Sequence, residues 1–241
     1  MKRVFFILLF IGLSNSTSAQ FKEASFTTKD NIKISASIQY PKGKLTNLPA
    51  IILIHQGGSS RKEWIENPLT NALIKNGNVI LTYDIRLHGT SGKDGKFADL
   101  FNNPNRAPLD LKAALKFLKK DKRVNANRIG IIGASIGSNL ATVAVSDNSY
   151  GVKSVVVLSA KTSAVQNLSG KKKTISPRNA FYIASKEEQG GKRDFWANEL
   201  YNLTSGKRKV SIAPGKKHGS YILREHTYLQ EEILKWFKET L

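Results

Sequence analysis

Four short apolar runs constrain this chain more than any other feature. Ile51–Ile54, Val79–Tyr83, Val155–Leu158 and Ala180–Ala184 lack the polar alternation of a half-exposed strand. Runs of this length without alternation are typical of parallel strands buried on both faces. Arg128–Ile132 and Val210–Ala213 read as two more strands. Between them the spacing turns helical. Pro68–Lys75, Leu111 with Leu115 and Leu118, Asn139–Val145 and Asp194–Leu203 supply the intervening helices. Leu229, Ile233, Trp236 and Phe237 mark an amphipathic C-terminal helix. At the other end, Phe21–Tyr40 reads as an antiparallel edge hairpin, with Asp30-Asn31 as the turn signal and an alternating Ile32–Ile38. The pattern predicts an α/β layered fold: a mostly parallel sheet of about eight strands with helices on both faces.

The 241 residues divide unevenly. Lys2 and Arg3 precede an apolar run, Val4–Leu13, that is too short for a stable membrane anchor. Small polar residues follow, ending in Thr17-Ser18-Ala19. This reads as a secretory signal peptide over residues 1–19, implying export to the periplasm or the medium. Residues 20–241 show no repeat and no linker, and so form one domain. The chain contains no cysteine, which excludes disulfides, thiolate metal sites and a cysteine nucleophile. Its net charge is +20, a value that suits association with an anionic surface. The lysines are scattered, however, and the tight cluster Lys171-Lys172-Lys173 has no aromatic residues interleaved for base stacking. A solvated basic surface is therefore expected, without specific nucleic-acid binding.

The sharpest local signal is Gly133-Ala134-Ser135-Ile136-Gly137, a G-x-S-x-G sequence directly after one predicted strand and directly before a helix. That context is what a nucleophile elbow requires, because the serine must stand on a tight turn at the carboxyl end of a central strand. The helix N-terminus behind it favours developing negative charge. Ser135 is thus the expected nucleophile. Acyl transfer also needs donors for an oxyanion. One is the backbone N–H of Ile136. The other is expected from His55-Gln56-Gly57-Gly58-Ser59-Ser60, the loop after Ile51–Ile54, with Gly57 preferred and Gln56 second. His55 reads as a structural residue shaping that loop.

With Asp84-Ile-Arg86-Leu-His88-Gly89-Thr-Ser91, these segments resemble the α/β-hydrolase superfamily, nearest its dienelactone-hydrolase-like and small-esterase branches. The similarity runs from about Phe26 to the C-terminus. In the family the Asp84 segment is structural. Leu87 stands where a glycine is usual, which implies a locally reshaped turn. The resemblance places the general base in a loop after the last strand. Of the four histidines, His218, in Pro214-Gly215-Lys216-Lys217-His218-Gly219, matches that position better than His226. The acid is expected after Ala180–Ala184, in Ser185-Lys186-Glu187-Glu188-Gln189. Glu188 occupies the position where the family usually has Asp, and Glu187 and Asp194 are the competitors.

The stretch between Leu158 and Ala180 is polar and basic, so no large apolar lid is expected and the site should be open and shallow. That arrangement favours short acyl groups, or acyl groups exposed on a larger carrier such as a polymer, and the lysines suit anionic substrates. No metal-binding constellation and no nucleotide-binding loop is visible, so no cofactor is expected. The leading reading is a serine esterase. A peptidase or acyltransferase would share the same chemistry up to the acyl-enzyme. A catalytically silent relative that binds anionic polymers is the reading from a different class.

Overall fold

The computed structural model describes residues 21–43, 45–170 and 174–241. The expected leader and the lysines at 171–173 lie outside the described residues. Among the described residues, eight strands form one open sheet: β1 (Lys22–Thr27), β2 (Lys33–Gln39), β3 (Leu48–Ile54), β4 (Val79–Tyr83), β5 (Val124–Ala134), β6 (Ser154–Leu158), β7 (Arg178–Ser185) and β8 (Ser205–Ala213). The helices are α1 (Lys62–Ile65), α2 (Pro68–Lys75), α3 (Asp99–Asn102), α4 (Ala107–Lys119), α5 (Ile136–Ser146), α6 (Thr162–Ser169), α7 (Lys192–Leu203), α8 (Tyr221–Glu225) and α9 (Tyr228–Thr240).

The strand order is β1-β2-β4-β3-β5-β6-β7-β8. The pairs β1–β2 and β2–β4 are antiparallel, and every other pair is parallel. Successive residues of β3 explain the unbroken apolar runs. Ile52 and Ile54 enter one core with Leu81, Ile131 and Val157, under Leu111 and Leu118 of α4 and Leu140 of α5. Ile51 and Leu53 enter the other with Ile80 and Val156, under Leu69 and Leu73 of α2 and Ile233 and Trp236 of α9. Each such side chain withdrawn from water contributes about 1.5–3 kcal/mol. Because both faces are covered, a polar residue at either parity would be buried.

Several elements differ from expectation, among them β8, which begins at Ser205 and not at Val210. The strand expected at Arg128–Ile132 begins at Val124 and ends at Ala134. The connection between β6 and β7 contains α6, whose Val165 and Leu168 are buried. It packs on α5 and α3, so its apolar side faces the domain.

The Asp84–Ser91 segment acts as a polar latch beside the sheet. Arg86 is fully buried, and its guanidinium donates to Asp110 at 2.7 and 2.8 Å and to Asp30 at 2.7 Å. Asp84 accepts the backbone N–H groups of Arg61 (2.7 Å) and Thr90 (2.9 Å). Leu87 has a left-handed φ of 70°, a conformation that a glycine would adopt freely. His55 is fully buried. Its Nε2 accepts the Ile85 N–H at 3.0 Å, which leaves Nδ1–H to donate to the Gln56 carbonyl at 2.7 Å. This fixes the neutral tautomer.

Burial pushes the His55 pKa down from 6.5 to about 4. Between those values the unfolded chain binds a proton that the native ring refuses, so acid favours unfolding. This group alone is expected to cost roughly 3 kcal/mol of stability on acidification from neutral pH to pH 4. Urea unfolding at pH 7 and pH 5 checks it. The midpoint should fall at pH 5 and fall less in His55→Asn.

Candidate active site

The parallel register brings the carboxyl ends of the central strands to one level. Ile54 pairs with Gly133, Ala134 with Leu158, Leu158 with Ile183, and Ser185 with Ala213. The residues immediately beyond these ends therefore emerge side by side. The chain leaves β3 toward α2 on one face and leaves β5 toward α5 on the other. The strand order thus reverses between β3 and β5, and such a switch opens a crevice at the carboxyl edge. Ser135 stands at that crevice, at the N-terminus of α5.

The turn that carries Ser135 is tight enough to explain both flanking glycines. A methyl group on Gly133 would lie 2.1 Å from the Gly137 carbonyl oxygen, and one on Gly137 would lie 2.4 Å from the Ile54 carbonyl oxygen. Neither position admits a side chain without moving backbone. Ser135 itself has φ 51° and ψ −107°, a conformation that costs a non-glycine residue on the order of 1–3 kcal/mol. Its N–H donates to the Leu158 carbonyl at 2.8 Å. Its own carbonyl accepts the N–H groups of Ser138 and Asn139 and the Ser138 hydroxyl at 2.6 Å. These bonds hold the strained turn in place.

His218 and Glu188 are joined directly. His218 Nδ1 and Glu188 Oε1 are 2.5 Å apart. The carboxylate accepts, so Nδ1 carries the proton and Nε2 keeps its lone pair. Glu188 is only 3% exposed. Its second oxygen accepts the Ser159 hydroxyl at 2.7 Å. Arg193 Nε lies 3.3 Å from Oε1 as an ion pair without an aligned hydrogen bond. The competitors stand elsewhere. Glu187 is exposed, and Asp194 accepts from Asn198 at 2.6 Å on α7.

Ser159 and Arg193 went unnoticed in the sequence. Ser159 is fully buried, with φ 59°. It donates to Glu188 and accepts the Gly219 N–H at 3.0 Å, so one hydroxyl ties the Glu188 carboxylate to the residue after His218. Arg193 Nη1 donates to the Ser159 carbonyl at 2.6 Å, and burial lowers its pKa. Gly219 in turn approaches Ser135's neighbour: a methyl group there would stand 3.4 Å from Ala134 Cβ. The His218 loop thus reaches the serine turn.

Gly57 lies against the residue after Ser135. A methyl group on Gly57 would meet Ile136 Cδ1 at 3.0 Å and Phe97 Cζ at 3.2 Å. The flanking amides are already engaged. The Gln56 N–H donates to Glu63 Oε2 at 3.3 Å, and the Gly58 N–H donates to His88 Nε2 at 3.1 Å. Phe97 was also missed. Its ring packs edgewise on Phe101, touches His88 and remains 52% exposed. His226 is apart from this cluster, with Nε2 near the Pro214 carbonyl at 3.0 Å. No group of three or more potential metal ligands occurs among the described residues.

No curated protein sequence matches the chain significantly. Solved structures match over nearly its whole length. A hypothetical protein from Pseudomonas aeruginosa superposes with a TM-score of 0.74 at 16% identity, covering 94% of this chain and 95% of that one. The esterase Pf2001 of Pyrococcus furiosus gives 0.72 at 22% identity, with 92% of each chain covered. A dienelactone hydrolase from Anabaena variabilis gives 0.69 at 17% identity, covering 92% of this chain and 99% of that one. At such identities these likenesses establish the fold. The family model for the alpha/beta hydrolase fold matches residues 49–226, a span that holds the serine turn, the Gly57 loop and the Glu188–His218 pair. The chain belongs to the alpha/beta hydrolase fold family.

Proposed function

We propose that this protein is an exported serine hydrolase that cleaves carboxylic esters through Ser135, His218 and Glu188. The observation that carries the reading is the Glu188–His218 pair. A buried carboxylate bonded to Nδ1 leaves Nε2 free to act as a base, on a loop that reaches the turn holding Ser135. Ser135 Oγ attacks the ester carbonyl carbon while Nε2 takes its proton. The carbonyl oxygen becomes an oxyanion, held by the N–H groups of Ile136 and Gly57. Collapse breaks the bond to the alkoxy oxygen, which leaves with the proton from His218. Water then enters, gives a proton to Nε2 and attacks the acyl carbon; the bond to Ser135 Oγ breaks, Nε2 returns that proton to Oγ, and the carboxylic acid leaves. Glu188 stays ionised throughout and stabilises the transient imidazolium. Ser159 and Arg193 keep the carboxylate facing the ring.

Short acyl groups, or acyl groups exposed on a larger carrier, suit this site. The α6 connection folds onto α5 and α3, and the exposed Phe97 ring is the apolar surface offered beside Gly57. Lys161, Lys186, Lys216 and Lys217 stand on the loops beyond β6, β7 and β8, which favours anionic esters. Association with an anionic surface would follow from the same charge. Export to the periplasm or medium rests on the leader-like residues 1–19.

Purified protein should react with a fluorophosphonate probe, and Ser135→Ala should abolish both labelling and turnover of short-chain esters. Absence of labelling in folded wild type would turn the assignment toward a silent binder. Preference for long-chain over short-chain esters would remove the short-acyl part of the proposal.

Replacing the acid separates the three candidates. Glu188→Gln should lower kcat by roughly 10²–10⁴-fold, since the ring loses the partner that sets its tautomer. Glu187→Gln and Asp194→Asn should stay within about twofold, as surface changes do. A larger loss in either would move the acid assignment.

The strain at Ser135 also has a measurable cost. Ser135→Gly should be inactive yet more stable than Ser135→Ala by about 1 kcal/mol, because glycine adopts that φ and ψ more freely. Equal denaturation midpoints for the two variants would contradict a strained turn.

A further inference from the structure

The proposed chemistry leaves one buried carboxyl without a task. Glu63 lies on α1, just after the Gly57 loop, and is 8% exposed. Burial pushes its pKa upward from the ordinary carboxylate value, against the bonds that favour the charged form. Arg224 on α8 is the charge that acts on it, and among the described residues no ion pair joins the two. Burying a carboxyl costs free energy unless its oxygens are hydrogen-bonded or paired.

Its surroundings come from both sides of the site. Glu63 Oε2 accepts the Gln56 N–H at 3.3 Å. The hydroxyls of Ser59 and Ser220 face the same carboxyl, and Ser220 is fully buried two residues beyond His218. Three buried polar atoms in this corner, Gln56 Oε1, Glu63 Oε1 and Ser220 Oγ, close no hydrogen bond within the protein. Gln56 Oε1 also presses on the base loop, since a methyl group on Gly219 would stand 2.1 Å from it. Two of the three atoms accept only, and Ser220 supplies the single hydroxyl donor.

We infer that Glu63 is a positioning residue that holds the Gly57 loop in register with the His218 loop. The inference rests on the function proposed above. With the Gln56 N–H anchored on Glu63 and the Gly58 N–H anchored on His88, the Gly57 peptide between them is pinned from both sides. An oxyanion donor acts only when it is already in place as charge develops. Releasing one anchor therefore affects the transition state more than substrate binding, and the loss appears in kcat rather than KM. Glutamine keeps an acceptor for the Gln56 N–H and supplies an uncharged donor, so it should substitute well.

The test compares wild type, Glu63→Gln and Glu63→Ala by kcat and KM on a short-chain ester, with active serine counted by fluorophosphonate titration. Counting per titrated serine removes any loss that comes only from misfolding. Glu63→Ala should lose at least about tenfold in kcat with KM nearly unchanged. Glu63→Gln should remain within about threefold of wild type. If the alanine variant does not fold, Glu63→Met fills the same volume without a hydrogen-bonding group and carries the comparison. Hydrogen exchange reads the same tie without catalysis. Peptides covering residues 55–61 and 214–224 should exchange faster together in the alanine or methionine variant, and recover in Glu63→Gln. Unlabelled, inactive wild type would sink the proposed function, and exchange would then still decide the tie between the loops. Wild-type kcat per titrated serine, or unchanged exchange in the His218 loop, would overturn the positioning role.

Discussion

A single methyl group on Gly137 would come within 2.4 Å of the Ile54 carbonyl oxygen, and this close approach organises the carboxyl edge of the sheet. It lets the first turn of α5 sit directly against the end of β3. The Gly57 loop that follows β3 then touches Ile136, the residue after Ser135. Under the proposed chemistry, a helix one side chain farther away would carry the Ile136 amide off from the Gly57 loop that is to share the oxyanion with it. The strain in Ser135 belongs to the same arrangement, since the turn must reverse direction within one residue to bring the helix back onto the strand. Bonds from Leu158, Ser138 and Asn139 sustain it.

The acid side is built by a different device. Glu188 lies past the end of β7, and its carboxylate is gripped by groups from three segments. Ser159 comes from the end of β6, Arg193 from α7 and His218 from the loop after β8. Ser159 does two things because its hydroxyl can donate and accept at once. Glutamate reaches one methylene farther than the aspartate usual in the family, so its carboxylate extends from a turn of its own to meet the ring. A departure from the family pattern in sequence thus leaves the hydrogen-bonded pair intact.

Most of the architecture was legible in the residues. Buried parallel strands show themselves as unbroken apolar runs, and the serine turn shows itself by glycines at fixed offsets. The family resemblance pointed to the loops after β7 and β8, and only the folded chain shows that Glu188, not Glu187 or Asp194, meets the His218 ring. Contacts between segments distant in sequence could not be read this way. Ser159 is one serine after an apolar strand, and its role exists only because β6 lies between β5 and β7. Glu63 looks like a surface charge on a short helix until α8 and the His218 loop fold over it. Helix α6 was hidden because its buried side offers only Ala164, Val165 and Leu168 as apolar residues, beside a buried Thr162. At position 87 a leucine is held at φ 70°, with its N–H bonded to the Gly92 carbonyl at 3.0 Å, a tie between positions five apart that the sequence does not announce.

The sheet also sets an order of failure. Ser135 follows β5, which is flanked by β3 and β6, whereas His218 follows β8, the last strand at the sheet edge. Strand β8 pairs only with β7, and most of it is exposed or half-buried. Edge elements of this kind open in sub-global fluctuations that leave the centre of a domain closed. Under the proposed chemistry, such an opening would carry the proton acceptor away from an otherwise intact elbow. Warming would then lower the fraction of molecules that hold the base in place before the core of the sheet melts.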